Sequence, residues 1–139
     1  MSEQNKATAR RLYEEIITGG NLDAIEDVFA TEYQDHDPAN RQDVHGLDEV
    51  RREIEMYRNA FDLQMTVEDQ LAEGNEVTTR WRMRGTHKGE LMGVAPTGNK
   101  VEVTGTTIHR FAEGKIREGW WEWDTLGLLR QIGAAPAMA

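Results

Sequence analysis

Cysteine is absent from the 139-residue sequence. That excludes a disulfide scaffold, thiolate-ligated zinc and a thiol nucleophile together. Serine occurs once, as Ser2, so a Ser-His-Asp hydrolase has no nucleophile to use. No Gly-x-Gly-x-x-Gly or Walker pattern is present, which removes the phosphate-cradling loops of nucleotide enzymes. No expected helix carries a His-x-x-x-His or Glu-x-x-His pair, so spacing supplies no metal site. No apolar run approaches the roughly 20 residues that cross a bilayer. The opening stretch MSEQNKATARR has no apolar signal core behind its charges. Positive charge is scarce: 16 Lys and Arg stand against 25 Asp and Glu, a net charge of −9. Phosphate-rich surfaces repel such a chain, so neither nucleic acid nor a membrane is an expected partner. What remains is a soluble, cytoplasmic, acidic protein with one domain over residues 1–139. A chain of this length buries roughly 68–70% of its unfolded surface, enough for a core.

The hydrophobic period divides the chain in two. In the first part Ala9, Leu12, Tyr13, Ile16 and Ile17 recur at helical spacing, and Gly19-Gly20 stops the helix. Asn21 can cap a second short helix holding Leu22, Ile25, Val28 and Phe29. The segment from Glu32 to Pro38 follows, with Asp37 pushed toward extended geometry by Pro38. A third helix starts near Leu47, its apolar stripe being Val50, Ile54, Tyr57 and Phe61. Glu49, Arg51, Arg52, Glu53 and Glu55 read as its solvated surface. From Leu63 the period becomes two. Val77, Thr79, Trp81 and Met83 alternate with Thr78, Arg80, Arg82 and Arg84, a two-faced strand with the arginines outside, near carboxylates such as Glu102. A glycine-rich stretch spans Gly85 to Gly98, and strands run from about Val101 to Phe111 and from about Lys115 to Asp124. Helices first and an antiparallel meander afterwards predict an α+β fold, with helices packed on one face of a curved sheet.

The last two strands carry the polar groups. Glu113-Gly114 reads as a two-residue hairpin loop, which sets Phe111 opposite Ile116 and His109 opposite Glu118. One face then holds His109 and Phe111 with Ile116, Glu118, Trp120, Glu122 and Asp124. Carboxylates and a histidine on a mostly apolar face suggest a small-molecule pocket in which His109 and Asp124 act. Burial would raise a carboxylate's pKa into the range of a general acid or base. Ordinary roles remain open: Glu118 can pair with Arg117 or Arg110, and His109 can be a core residue. The same register puts Trp121 and Trp123 outside with Ile108, an aromatic patch that predicts a homodimer.

The sequence resembles the SnoaL-like polyketide cyclases of the nuclear transport factor 2-like superfamily. The residues that carry the resemblance are Gly85-Thr86-His87-Lys88-Gly89, Met92 to Gly98, Ile108-His109-Arg110-Phe111, Gly114-Lys115-Ile116, and Glu118, Trp120, Asp124 and Leu126 to Gly133. Tyr33 to Pro38 and His45-Gly46 look like the family's pocket rim. The resemblance implies a cone-shaped fold, in which a strongly bent sheet wraps a cavity closed by helices, and a homodimer or higher oligomer formed through the outer sheet face. It also implies an aspartate late in the last strand as acid/base, helped by a histidine one strand earlier, matched here by Asp124 and His109. Tyr33, His36, Glu118, Trp120 and Glu122 would bind the substrate, a small hydrophobic or aromatic molecule. The implied reaction is an intramolecular aldol condensation of a polyketide ester, which needs neither cofactor nor metal. Two alternatives are a ligand-binding protein of the same fold with an inert pocket and an epoxide-hydrolase-like enzyme. The latter would require an arginine inside the pocket.

Overall fold

In the computed structural model, which describes residues 2–134, a helical N-terminal part closes one face of an open six-stranded sheet. Helix α1 (Ser2–Arg11) continues as a wider π-type coil over Leu12–Thr18. Its stripe of Ala9, Leu12, Tyr13 and Ile16 is fully buried. The chain leaves this helix through Gly20 at φ +77°, a left-handed conformation that a side chain would oppose. Asn21 precedes the turn Leu22–Ala24, but its amide donates back to Glu15 Oε1 (3.0 Å) instead of capping forward. A single helical turn, α2 (Ile25–Val28), leads into β1 (Phe29–His36). The sequence shows β1 only as a short extended segment, because β6, one of its two partners, lies far along the chain. After β2 (Val44–His45), helix α3 (Gly46–Ala60) buries Val50 and Ile54. It hands the chain directly to β3 (Phe61–Glu73) through Phe61, which is buried.

Strands β4 (Glu76–His87), β5 (Lys100–Ala112) and β6 (Lys115–Trp123) complete the sheet, and α4 (Thr125–Gln131) follows. The strand order is β2-β1-β6-β5-β4-β3. Every neighbouring pair is antiparallel except β1 with β6. The expected α+β architecture is therefore present, with β1 and β2 added beyond the meander. Among the described residues no helix is long and apolar enough to cross a membrane.

The two-period in β4 holds along its length. Val77, Thr79, Trp81 and Met83 are buried. On the other face Arg82 pairs with Glu68 (2.6 Å) and Glu102 (3.3 Å), and Arg84 with Glu102 (2.8 Å). These exposed pairs contribute little individually, but they fix which face is outside.

Gly105 governs how the inner face packs. It lies on β5 opposite both Trp81 on β4 and Trp123 on β6. The two indoles occupy the space above it: a Cβ at this position would lie 2.6 Å from Trp123 Cβ and collide with the ring of Trp81. Gly105→Ala is accordingly expected to destabilise the fold by about 1–3 kcal/mol, the usual cost of overpacking. A lowered urea midpoint with unchanged slope would show it, and an unchanged midpoint would mean the indoles can separate.

Candidate functional site

The β5–β6 hairpin begins as the loop predicts, with Ala112 opposite Lys115 and Phe111 opposite Ile116. One extra residue, Arg117, then bulges from β6, so Arg110 faces Glu118 and His109 faces Gly119. A bulge of one residue reverses every side chain beyond it. Gly119, Trp121 and Trp123 therefore share the inner face with His109, whereas Glu118, Trp120 and Glu122 point outward. This corrects the sequence reading, which put Glu118, Trp120, Glu122 and Asp124 inside and the two other tryptophans outside. The aromatic patch from which a dimer was expected is part of the interior wall.

The inner face, α3 and the N-terminal coil line a cavity of about 110 Å³ that is partly open to solvent. Its walls are mainly apolar, with Ile17, Phe29, Val50, Ile54, Met65, Met83 and Val103 among them. Trp81, Trp121, Trp123, Tyr33 and Tyr57 supply aromatic surface. Three carboxylates reach the same space: Asp35 and Asp37 from β1 and its end, and Glu53 from α3. No lysine, arginine or histidine among the described residues lines it. Among the described residues no group of three His, Cys, Asp or Glu side chains could hold a metal ion.

Asp35 is the most perturbed of the three acids. It is only 9% exposed, and Oδ1 has no hydrogen-bond partner. Burial pushes its pKa up to about 8, and the negative charges of Glu53 and Asp37 add to the rise, while nearby Tyr33 and Trp121 oppose it. Asp37 accepts the Trp123 indole N–H at 3.0 and 3.2 Å and the Ala39 amide at 2.9 Å. Burial still raises its pKa. Glu53 accepts from the Asn40 amide (3.1 Å) and is likewise raised by burial. Missing side-chain bulk brings Asp35 close to the middle of the sheet. A Cβ on Gly119 would lie 2.6 Å from Tyr33 Oη, 3.0 Å from His109 Cδ2 and 3.1 Å from Asp35 Oδ1.

The residues expected to form the site separate into two groups. Tyr33 lines the cavity, fully buried, with burial holding its hydroxyl pKa well above normal. His109 lies behind the wall, between Tyr13 and Trp121 (ring centroids 6.4 and 5.8 Å), with neither ring nitrogen bonded. Burial lowers its pKa to about 3, so it is neutral at physiological pH. His36, Glu118 and Trp120 meet on the opposite face of the sheet. His36 stacks on Trp120 (5.5 Å) and bonds to Glu118 (2.7 Å) and Asp43 (2.8 Å). Arg110 lies over the Trp120 ring at 5.0 Å. Glu122 is exposed. Asp124 is exposed too, outside the cavity, and accepts the Gly127 N–H at 2.8 Å as the cap of α4. Of the remaining histidines, His45 is exposed before α3. His87 is buried, and its Nδ1 accepts from the Thr97 amide (3.2 Å), fastening the glycine-rich loop.

Sequence reasoning missed Asp35, Asp37, Glu53 and Trp123 as cavity residues. Two signals were present. Glu53 falls at helical spacing between Val50 and Tyr57, on the apolar stripe itself. Asp35 and Asp37 follow Tyr33 at strand spacing, whereas His36 is out of phase with them.

The family model of SnoaL-like polyketide cyclases matches residues 7–132. A candidate SnoaL-like polyketide cyclase from Jannaschia sp. CCS1 is 27% identical, with 98% of this chain and 96% of that one covered and a TM-score of 0.89. AclR, a candidate hydroxylase from Streptomyces galilaeus, is 28% identical over 100% of this chain and 87% of its own, with a TM-score of 0.86. IdmH, a candidate polyketide cyclase from Streptomyces antibioticus, is 31% identical over 94% and 99%, with a TM-score of 0.80. No curated protein matches the chain.

The buried acid and the buried imidazole give opposite pH dependences. Asp35 holds its proton in the folded state up to about pH 8 but in the unfolded chain only to about 3.9. The folded state thus binds more protons between those values, and stability falls as pH rises through that window. His109 is neutral in the fold down to about pH 3 and titrates near 6.5 when unfolded. Its contribution is complete above about 6.5 and is lost as pH falls. The two slopes offset one another between about pH 4 and 6.5. Asp35→Asn should unmask the histidine. The stability difference between variant and wild type should grow with pH by on the order of 1 kcal/mol per unit from pH 4 to 8. Urea denaturation across that range measures it, and a pH-independent difference would mean that Asp35 ionises normally.

Proposed function

We propose that this chain, which belongs to the SnoaL-like polyketide cyclase family, catalyses ring closure by aldol addition, with Asp35 as the acid/base. The observation that carries the reading is Asp35 itself: a carboxyl group in an apolar, aromatic cavity with its pKa raised to about 8. A general acid/base is most effective when its pKa lies near the working pH, because both protonation states are then accessible.

The substrate would carry an acidic C–H between two carbonyls. The Asp35 carboxylate takes that proton, and the electron pair passes to the enolate. The enolate carbon attacks a second carbonyl of the same molecule, forming the C–C bond and leaving an alkoxide. The proton now on Asp35 passes to that alkoxide, which restores the carboxylate. Atoms and charge balance without an external reagent. The cavity's share is to hold the reacting carbons together, which is worth several kcal/mol in general. The epoxide-hydrolase-like reading loses support, since Arg82 and Arg84 of β4 are paired on the outer face and no arginine is among the described residues that line the cavity.

Asp35→Asn keeps the shape and removes the base. It is expected to lower kcat on a cyclisable β-keto ester by about 10²–10⁴-fold, and wild-type activity should climb with pH toward about 8. Asp124→Asn, which retains a capping side chain, should stay close to wild type. Loss at Asp124 with full activity in Asp35→Asn would return the role to the strand end. Full activity in both would leave a ligand-binding pocket.

A further inference from the structure

The cavity holds negative charge that no group around it balances. Asp37 accepts the Trp123 indole N–H on both oxygens (3.2 and 3.0 Å) and the Ala39 amide on Oδ1 (2.9 Å). Glu53 accepts the Asn40 side-chain amide on both of its oxygens (3.1 and 3.4 Å). Two oxygens that both accept N–H groups mark an ionised carboxylate, and such bonds favour the charged form. Every one of these donors is neutral. The charged neighbours acting on Asp37 and Glu53 are themselves acids, Glu122 on the first and Asp37 on the second. Among the described residues no cationic side chain lines the cavity. Asp35, 9% exposed in the same wall, leaves Oδ1 unpartnered, and so does Tyr57 its hydroxyl. A buried acceptor without a donor is costly until something supplies one.

Two features say what would supply it. Among the described residues no three acids lie close enough together to share one metal ion, so the missing charge is spread along the wall. The surface beside the acids is aromatic: Trp123, bonded to Asp37, meets Tyr57 edge-on (6.3 Å between ring centroids, planes at 82°). Aromatic faces attract an ammonium group, most strongly where water is excluded. We propose that the cavity takes a substrate bearing a protonated amine, with Asp37 and Glu53 as its counter-ions and Trp123 and Tyr57 as its aromatic wall. The proposal rests on the acid/base reading only for calling the ligand a substrate; the recognition of charge does not depend on how Asp35 ionises. An amine held at Asp37 and Glu53 leaves Asp35 free for the carbonyl-bearing part of the same molecule. The net charge of −9 draws such a ligand toward the mouth of the cavity.

Benzylamine, benzyl alcohol and benzoate are the probes, one ring with a cationic, a neutral and an anionic head. Binding to the full chain is followed by calorimetry at pH 7 and low salt. The buried ring is common to all three, so their order reads the charge. The expected result is benzylamine bound at a single site at least about tenfold more tightly than benzyl alcohol, with benzoate not bound. The double variant Asp37→Asn with Glu53→Gln should lose that preference while benzyl alcohol binds as before, and Glu53→Gln alone should fall between. Asp35→Asn should keep the amine ahead of the alcohol. A failure of the acid/base reading alone would show as cyclisation untouched by Asp35→Asn with the amine preference intact. A failure of this proposal alone would show as Asp35-dependent cyclisation without that preference. Benzyl alcohol or benzoate binding as tightly as benzylamine in the wild type would overturn the proposal, as would no benzylamine binding at all. An undiminished preference in the folded double variant would overturn it too, the attraction then being that of the acidic surface in general. If the double variant does not fold, the wild-type series and Glu53→Gln still decide.

Discussion

The bulge at Arg117 is the constraint on which the site depends. Before it, β6 follows the register dictated by the tight loop at Glu113-Gly114. After it, every inward residue becomes an outward one. Because of that single displaced residue, Gly119 rather than Glu118 faces His109, leaving the gap into which Tyr33 and Asp35 project. The same displacement turns Trp121 and Trp123 toward the cavity and Trp120 toward His36 and Arg110. A hydrogen-bonded neighbour strand on each side of β6 then holds the arrangement: β5 antiparallel and β1 parallel.

Within the cavity the governing effect is desolvation. Asp35, Asp37 and Glu53 enter an apolar space from two elements, with no cation among the lining residues. Burial raises all three, and the negative charge of neighbouring carboxylates raises them further. Indole and amide N–H groups keep Asp37 and Glu53 partly satisfied, and Asp35 is left with an unpartnered oxygen. An acidic chain can therefore carry a neutral carboxyl group, that of Asp35, at its working site, a state that permits hydrogen-bond donation to a carbonyl as well as proton abstraction.

Much of this was legible in the sequence where local periodicity and tertiary packing agree. The inward row of β4 and its outward arginines follow from strict alternation, and the stripe of α3 from helical spacing. The change of period near Leu63 carried the α+β class, and family resemblance added the expectation of a cone. What could not be read was the β6 register, since nothing in Lys115-Ile116-Arg117-Glu118 distinguishes a bulged strand from a straight one. That one ambiguity misassigned Glu118, Trp120, Glu122, Trp121 and Trp123 together. Asp124 illustrates a second limit: beyond the last paired residue its conformation is set by α4, whose first turn it caps. Asp35 was hidden differently, because β1 is defined by a parallel partner more than eighty residues away.

His36 has a carboxylate on each ring nitrogen, Asp43 at Nδ1 and Glu118 at Nε2. A neutral imidazole has one N–H, so both bonds require the doubly protonated ring, and Glu118 foremost, with Asp43, raises its pKa accordingly. Asp35, on the other side of the same strand, also retains a proton at neutral pH. Unfolding at pH 7 therefore discharges protons into the medium, chiefly from Asp35. The heat absorbed on melting must then include the ionisation heat of whatever buffer accepts them. Calorimetric enthalpies of this protein will differ between phosphate and an amine buffer at the same pH, with no difference in its native contacts.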